Sequence, residues 1–146
     1  MLSRNIFENL IYWCGLGQIL LVIGSLGLPK FLSWSTELSS LTPATRQMFW
    51  VYSGYIWATN LSFGVISTLS PEWLTTPHPL SVVINSFICV YWGARVLIQF
   101  FYFDRSIMPK GILFTLGEIG LNLLFIGFTL TYGLTAFYLY LNIKIH

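Results

Sequence analysis

Charge is what this chain has least of. Only 8% of its 146 residues are Asp, Glu, Lys or Arg, against roughly 25% in a soluble domain. The formal net charge is +2, and no basic stripe or basic-aromatic interleave occurs, so no nucleic-acid partner is expected. The two histidines, His78 in a proline-rich linker and His146 at the last position, lie outside every apolar run. A haem held between helices by two histidines is therefore excluded. Cys14 and Cys89 form no CxxC pair and read as buried free thiols acting as small hydrophobes. Metal-ligand spacings, a GxSxG nucleophile and a phosphate-cradling glycine loop are also missing. No catalytic residue, no metal site and no cofactor is predicted.

Apolar side chains fill the place left by charge. Hydrophobic residues make up 55% of the chain and aromatics 18%, and they fall in runs too long for the core helices of a soluble protein. The sequence predicts an all-α integral membrane four-helix bundle forming one domain, 1–146, with spans near 10–28, 43–69, 80–103 and 109–140. About 20 apolar residues cross a bilayer core. Glu8 and the lack of a small-x-small cleavage site argue for an uncleaved first span rather than a signal peptide. Its glycines, Gly15, Gly17, Gly24 and Gly27, permit close helix approach. Phe31 to Leu41 reads as a strap lying in the interface. Thr42-Pro43 marks the start of the second run, a polar cap followed by proline at the first helical position. The linker Ser70 to Pro79, with Pro71, Pro77 and Pro79, is expected not to be regular helix. The fourth run exceeds a bilayer and should tilt or project beyond it.

An even number of spans puts both termini on one side. Lys30, Arg46, Arg105 and Lys110 lie in or beside loops one and three, whereas Arg4 and Lys144 serve the termini. This bias puts loops one and three in the cytoplasm and the termini outside. Tyr12, Trp13, Trp50, Tyr52, Tyr138 and Tyr140 near the span ends agree with an interfacial aromatic belt.

Polar residues inside apolar runs carry what functional signal there is. Trp92, Arg95 and Gln99 share one face of the third run. Thr115, Glu118, Asn122, Thr129 and Tyr132 form a stripe on the fourth, with Gln18, Tyr55, Thr59 or Asn60 as additions from the first two. Hydrocarbon offers such groups no partners, so they should turn inward. Arg95 and Glu118 lie about equally far from the turn Asp104-Arg105-Ser106-Ile107-Met108-Pro109, which places them at one depth of a helical hairpin. Three readings stand open. The two form a buried ion pair that fixes packing, or Arg95 snorkels to the Asp104 side, or the pair lines a cavity for an anion, a lipid headgroup or a proton. The candidate cluster is Arg95, Gln99, Glu118, Asn122, Thr115 and Trp92. Asp104, Arg105 and Lys110 read as solvated interfacial charge.

The segment Gln47-Met48-Phe49-Trp50-Val51-Tyr52, then Phe63-Gly64, then Tyr91-Trp92-Gly93-Ala94-Arg95 through Gln99-Phe100-Phe101-Tyr102-Phe103-Asp104 resembles uncharacterised small bacterial multi-pass membrane proteins. Their third helix ends in a WGxRxxxQFFxFD-like motif. DoxX-like four-helix proteins are a looser comparison, resting on span number and size. The resemblance implies a membrane fold and a bacterial inner membrane, and no activity.

The leading expectation is a non-enzymatic membrane protein, either an accessory or assembly subunit or a binder of a small lipophilic molecule. Its expected partners are membrane lipids, with a membrane-protein partner or a second copy possible. The alternatives are a small-solute or proton-coupled transporter using Arg95 and Glu118, and, more remotely, a membrane redox or lipid-modifying enzyme.

Overall fold

A computed structural model describes residues 2–102 and 111–145, and these are all-helical, without a strand. Helix α1 covers Leu2–Leu26, α2 Leu28–Phe31 and α3 Trp34–Glu37, followed by a 3-10 turn at Leu38–Ser40. Then come α4 at Pro43–Leu69, α5 at Pro71–Thr75, α6 at Pro79–Phe101 and α7 at Ile112–Ile145. Three stretches are long and apolar enough to cross a membrane: Arg4–Phe31, Pro79–Phe101 and Phe114–Lys144. Helix α4 has the length, with 27 residues, and its bounds match the predicted run, but it is not among the three. Trp50, Tyr52, Tyr55, Trp57 and Asn60 dilute its apolar character. Helix α7 has 34 residues, about 51 Å at 1.5 Å per residue.

Local chemistry sets the boundaries. Pro43 and Pro79 each stand in a first turn, where the missing N–H costs nothing. Thr42 Oγ1 accepts the N–H of Thr45 at 3.4 Å, and His78 Nδ1 accepts that of Leu80 at 3.1 Å. The Ser70–Pro79 linker departs from its expectation, because Pro71 opens a short helix, α5, by the same first-turn logic. Leu74 and Thr75 of α5 are buried. Helix α1 also starts earlier than the predicted Leu10. Arg4 and Glu8, one turn apart, pair at 2.9 Å, and Glu8 Oε1 accepts Thr75 Oγ1 at 3.2 Å, so polar residues in the first turns are partnered. The Phe31–Leu41 segment is two short helices and a turn, with Ser33 at a left-handed φ of 51° between α2 and α3. The predicted turn Asp104–Pro109 lies outside the described residues, as does the charge at Arg105 and Lys110.

Helices α6 and α7 pack against each other most extensively, then α1 against α4, and α1 joins the two pairs through α7 and α5. Of the glycines in α1, Gly15 makes the tightest approach. A Cβ there would stand 2.8 Å from Thr68 N and 2.9 Å from Gly64 O, whereas one at Gly24 would meet nothing within 4 Å. By contrast α4 and α6 scarcely approach through their backbones. They meet through rings, Phe63 lying 6.0 Å from Phe87 and 5.2 Å from Tyr91. At the centre, Trp92 stacks on Phe125 at 5.2 Å and tilts against Phe128 at 4.8 Å.

The outer surface is apolar and much of the interior is polar. Phe101, Ile112, Leu69 and Val90 are among many large exposed hydrophobics, while Gln18, Ser67, Thr75, Asn85 and Thr135 are fully buried. Soluble monomers rarely expose contiguous apolar surface on this scale.

Candidate functional site: a cavity beside Arg95

The sparse α4–α6 contact leaves space on the side of the molecule nearer α2 and α3. A cavity of about 430 Å³ lies there, walled by α1, α4, α6 and α7 and bordered by Trp34 of α3. Helix α1 contributes Leu20, Leu21, Gly24 and Ser25, about 7.5 Å of helix length, and α2 contributes Leu28. Helix α4 contributes Ser53, Ile56, Trp57 and Asn60, α6 contributes Trp92 and Arg95, and α7 contributes Leu121 and Phe125. The size and lining, mostly apolar and aromatic with a few polar groups, are those of a small-molecule site.

Three polar groups converge on this space. Arg95 is exposed, its guanidinium carbon 5.8 Å from the centroid of the Phe125 ring. Among the described residues it has no carboxylate partner; the ion pair there is Arg4–Glu8. The other two, Trp92 Nε1 and Asn60 Oδ1, are buried without a hydrogen-bond partner among the described residues. A buried polar group left unmatched costs about 1–3 kcal/mol; Gln18 Oε1, Asn85 Oδ1 and Asn122 Oδ1, away from the cavity, are unmatched as well among the described residues. Nothing in the lining is a nucleophile beside a base.

The predicted cluster is therefore split. Trp92 and Arg95 line the cavity, whereas Gln99, Thr115, Glu118 and Asn122 do not. Gln99 and Glu118 are half-buried, and Thr115 is exposed and donates to its own helix at Gly111 O, 3.2 Å. Asn122 is buried on α7 with Oδ1 unmatched. Among the described residues no Arg95–Glu118 ion pair is found, and Glu118 is not without a partner. Equal distance from a turn sets depth, but the angle around each helix axis decides whether two side chains meet. Arg95 lies over Phe125 of α7 and shares a groove with Ile56 of α4. Cys14 and Cys89 are free and half-buried.

The polar groups that do meet across helices lie on the other side of the Trp92 core. Tyr132 Oη of α7 bonds Ser67 Oγ of α4 at 2.6 Å and accepts Gln18 Nε2 of α1 at 2.7 Å, all three residues fully buried. Nearby, Asn85 Nδ2 donates to Leu74 O and Ser81 O, each at 2.8 Å, and Ser81 Oγ donates to Trp73 O at 2.9 Å, which ties α5 to α6. Gln18 and Tyr132 stood out in the sequence as polar residues in apolar runs. Ser67 did not, because serine is common in this chain and a small hydroxyl satisfies itself within a helix. In comparisons with known proteins, no family model, no curated protein and no solved structure matches this chain.

Proposed function

We propose that this chain is a multi-pass protein of the bacterial inner membrane that binds a small lipophilic molecule in the cavity beside Arg95, without catalysing its conversion. The reversal of apolar and polar residues between surface and interior supports membrane integration. In lipid, exposed Leu, Ile, Val and Phe are at home and polar side chains gain by turning inward. Helices α1, α4, α6 and α7 then form a four-helix bundle, with α4 as the most polar span. The bias of Lys30, Arg46, Arg105 and Lys110 supports loops one and three on the cytoplasmic face, and the cavity, near α2 and α3, opens in that half.

The observation that carries the binding reading is the cavity itself, whose lining joins three tryptophans to unmatched polar atoms. Transport is less favoured, because its Arg95–Glu118 ion pair is not found among the described residues. The accessory-subunit reading draws on the same exposed apolar surface; a larger complex recovered in mild detergent would support it.

Because Trp34, Trp57 and Trp92 line the cavity, their fluorescence reports an occupant. A brominated lipophile added to purified protein should quench it saturably, and the unbrominated analogue should compete. Quenching that rises linearly with probe, without competition, would show contact with the outer surface alone and defeat the reading.

A further inference from the structure

Resting on the binding reading above, we propose that the occupant is a single-chain anionic amphiphile of the fatty-acid class, reaching the cavity sideways from the lipid between α4 and α6, its headgroup held by Arg95.

The first observation is where Arg95 stands. Arg95 and Ile56 line the interior cavity and also a shallow groove on the outer α4–α6 face, whose other walls include Phe87, Val90 and Ala94. The two spaces share these side chains, so Arg95 and Ile56 form the threshold between lipid and interior. The helices on either side are held together by the rings of Phe63, Phe87 and Tyr91.

Charge is the second. A cation held in apolar surroundings is costly unless matched. Among the described residues Arg95 has the face of Phe125 at 5.8 Å, a weak cation–π contact, and Tyr91 close by, but no carboxylate partner. An oxyanion is the complement of a guanidinium, which presents paired donors to a carboxylate. Trp92, three residues earlier on the same helical face, adds its unmatched buried Nε1–H, a donor that also asks for an acceptor. Asn60 can turn its amide to present either NH₂ or oxygen. A neutral sterol-like or alkane occupant would leave the guanidinium unmatched.

Size is the third. About 430 Å³ walled by Leu20, Leu21, Leu121 and Phe125 matches the size of one folded acyl chain.

The test uses the full chain in phosphatidylcholine nanodiscs, with tryptophan quenching by dibromostearate and by the matching dibromostearyl alcohol. The acid should bind, Arg95→Gln should weaken it about tenfold or more, and Arg95→Lys should restore part of the affinity. Binding of the alcohol should not change with Arg95. Equal effects on acid and alcohol, or no effect on either, would overturn the anionic assignment while leaving the binding reading intact. Failure of both probes to quench saturably would overturn both. Competition by dioleoylphosphatidate as strong as by stearate would overturn the single-chain assignment in favour of a bilayer lipid headgroup. Ile56→Trp should slow uptake from the nanodisc several-fold; an unchanged rate would overturn the sideways path. Melting temperatures of the variants, expected to match the parent, confirm that the readout is binding.

Discussion

Two buried asparagines divide the molecule. Asn85, at the end that holds α5, reaches out of α6 and donates through Nδ2 to Leu74 O and Ser81 O, while its Oδ1 has no partner among the described residues. Asn60, in the half nearer α2 and α3, faces the cavity and its Oδ1 has no partner among the described residues. The same contrast separates Tyr132, which bonds both Gln18 and Ser67, from Trp92, whose Nε1 bonds nothing among the described residues. At one end the side-chain donors of Gln18 and Asn85 join helices, although each leaves its amide oxygen unmatched; at the other Asn60 and Trp92 border a space. Polar side chains in a membrane interior are retained for packing or for binding, and this chain keeps one set for each.

The comparison can be broken most forcefully at Gly15. Gly15→Leu places side-chain atoms against the α4 backbone at Thr68 and Gly64, and overpacking of this kind costs about 1–3 kcal/mol or more. The expected result is the largest drop in detergent melting temperature, whereas Gly24→Leu, facing open space, should change little. Next comes Tyr132→Phe, which removes two interhelical bonds at about 0.6–1.7 kcal/mol each. Thermal denaturation should show the loss, and cavity quenching should survive it.

The asparagine pair sharpens the contrast. Asn85→Ala strands the Leu74 carbonyl and frees α5 from α6, so it should cost about 1–3 kcal/mol. Asn60→Ala removes an unmatched oxygen and should change stability by less than about 0.5 kcal/mol, yet weaken ligand. If both substitutions destabilise alike, the two ends do not differ in kind. Below Asn85→Ala comes the α6 cap, where His78→Ala loses the bond to Leu80 N–H, about 0.5–1 kcal/mol.

Hydrocarbon has one strong rule, and the sequence states it plainly. Apolar runs interrupted by proline, the second opened by Thr42-Pro43, place the helices, and of the polar residues within them Gln18, Asn60, Asn122 and Tyr132 turn inward whereas Tyr55 and Thr115 are exposed. Gly15 was legible as one glycine among several in the first run; that it, and not Gly24, meets α4 was not. The short helix α5 was missed because three prolines in ten residues read as a breaker, although Pro71 sits where proline starts a helix. The pairing of Arg95 with Glu118 was inferred from depth along a hairpin, and depth is only one of the two coordinates of a side chain on a helix.

By itself, then, the sequence determined that this protein is helical, where its apolar segments run and which polar residues lie within them, because periodicity and proline act locally along the chain. Only the tertiary structure decided which of those residues meet. Gln18, Ser67 and Tyr132 come from three helices far apart in the chain, and their contact depends on how each helix is rotated and tilted. The same rotations set Arg95 over Phe125 and beside Ile56 of α4. A binding site of this kind is a gap between helices, and a gap has no residue of its own in the sequence.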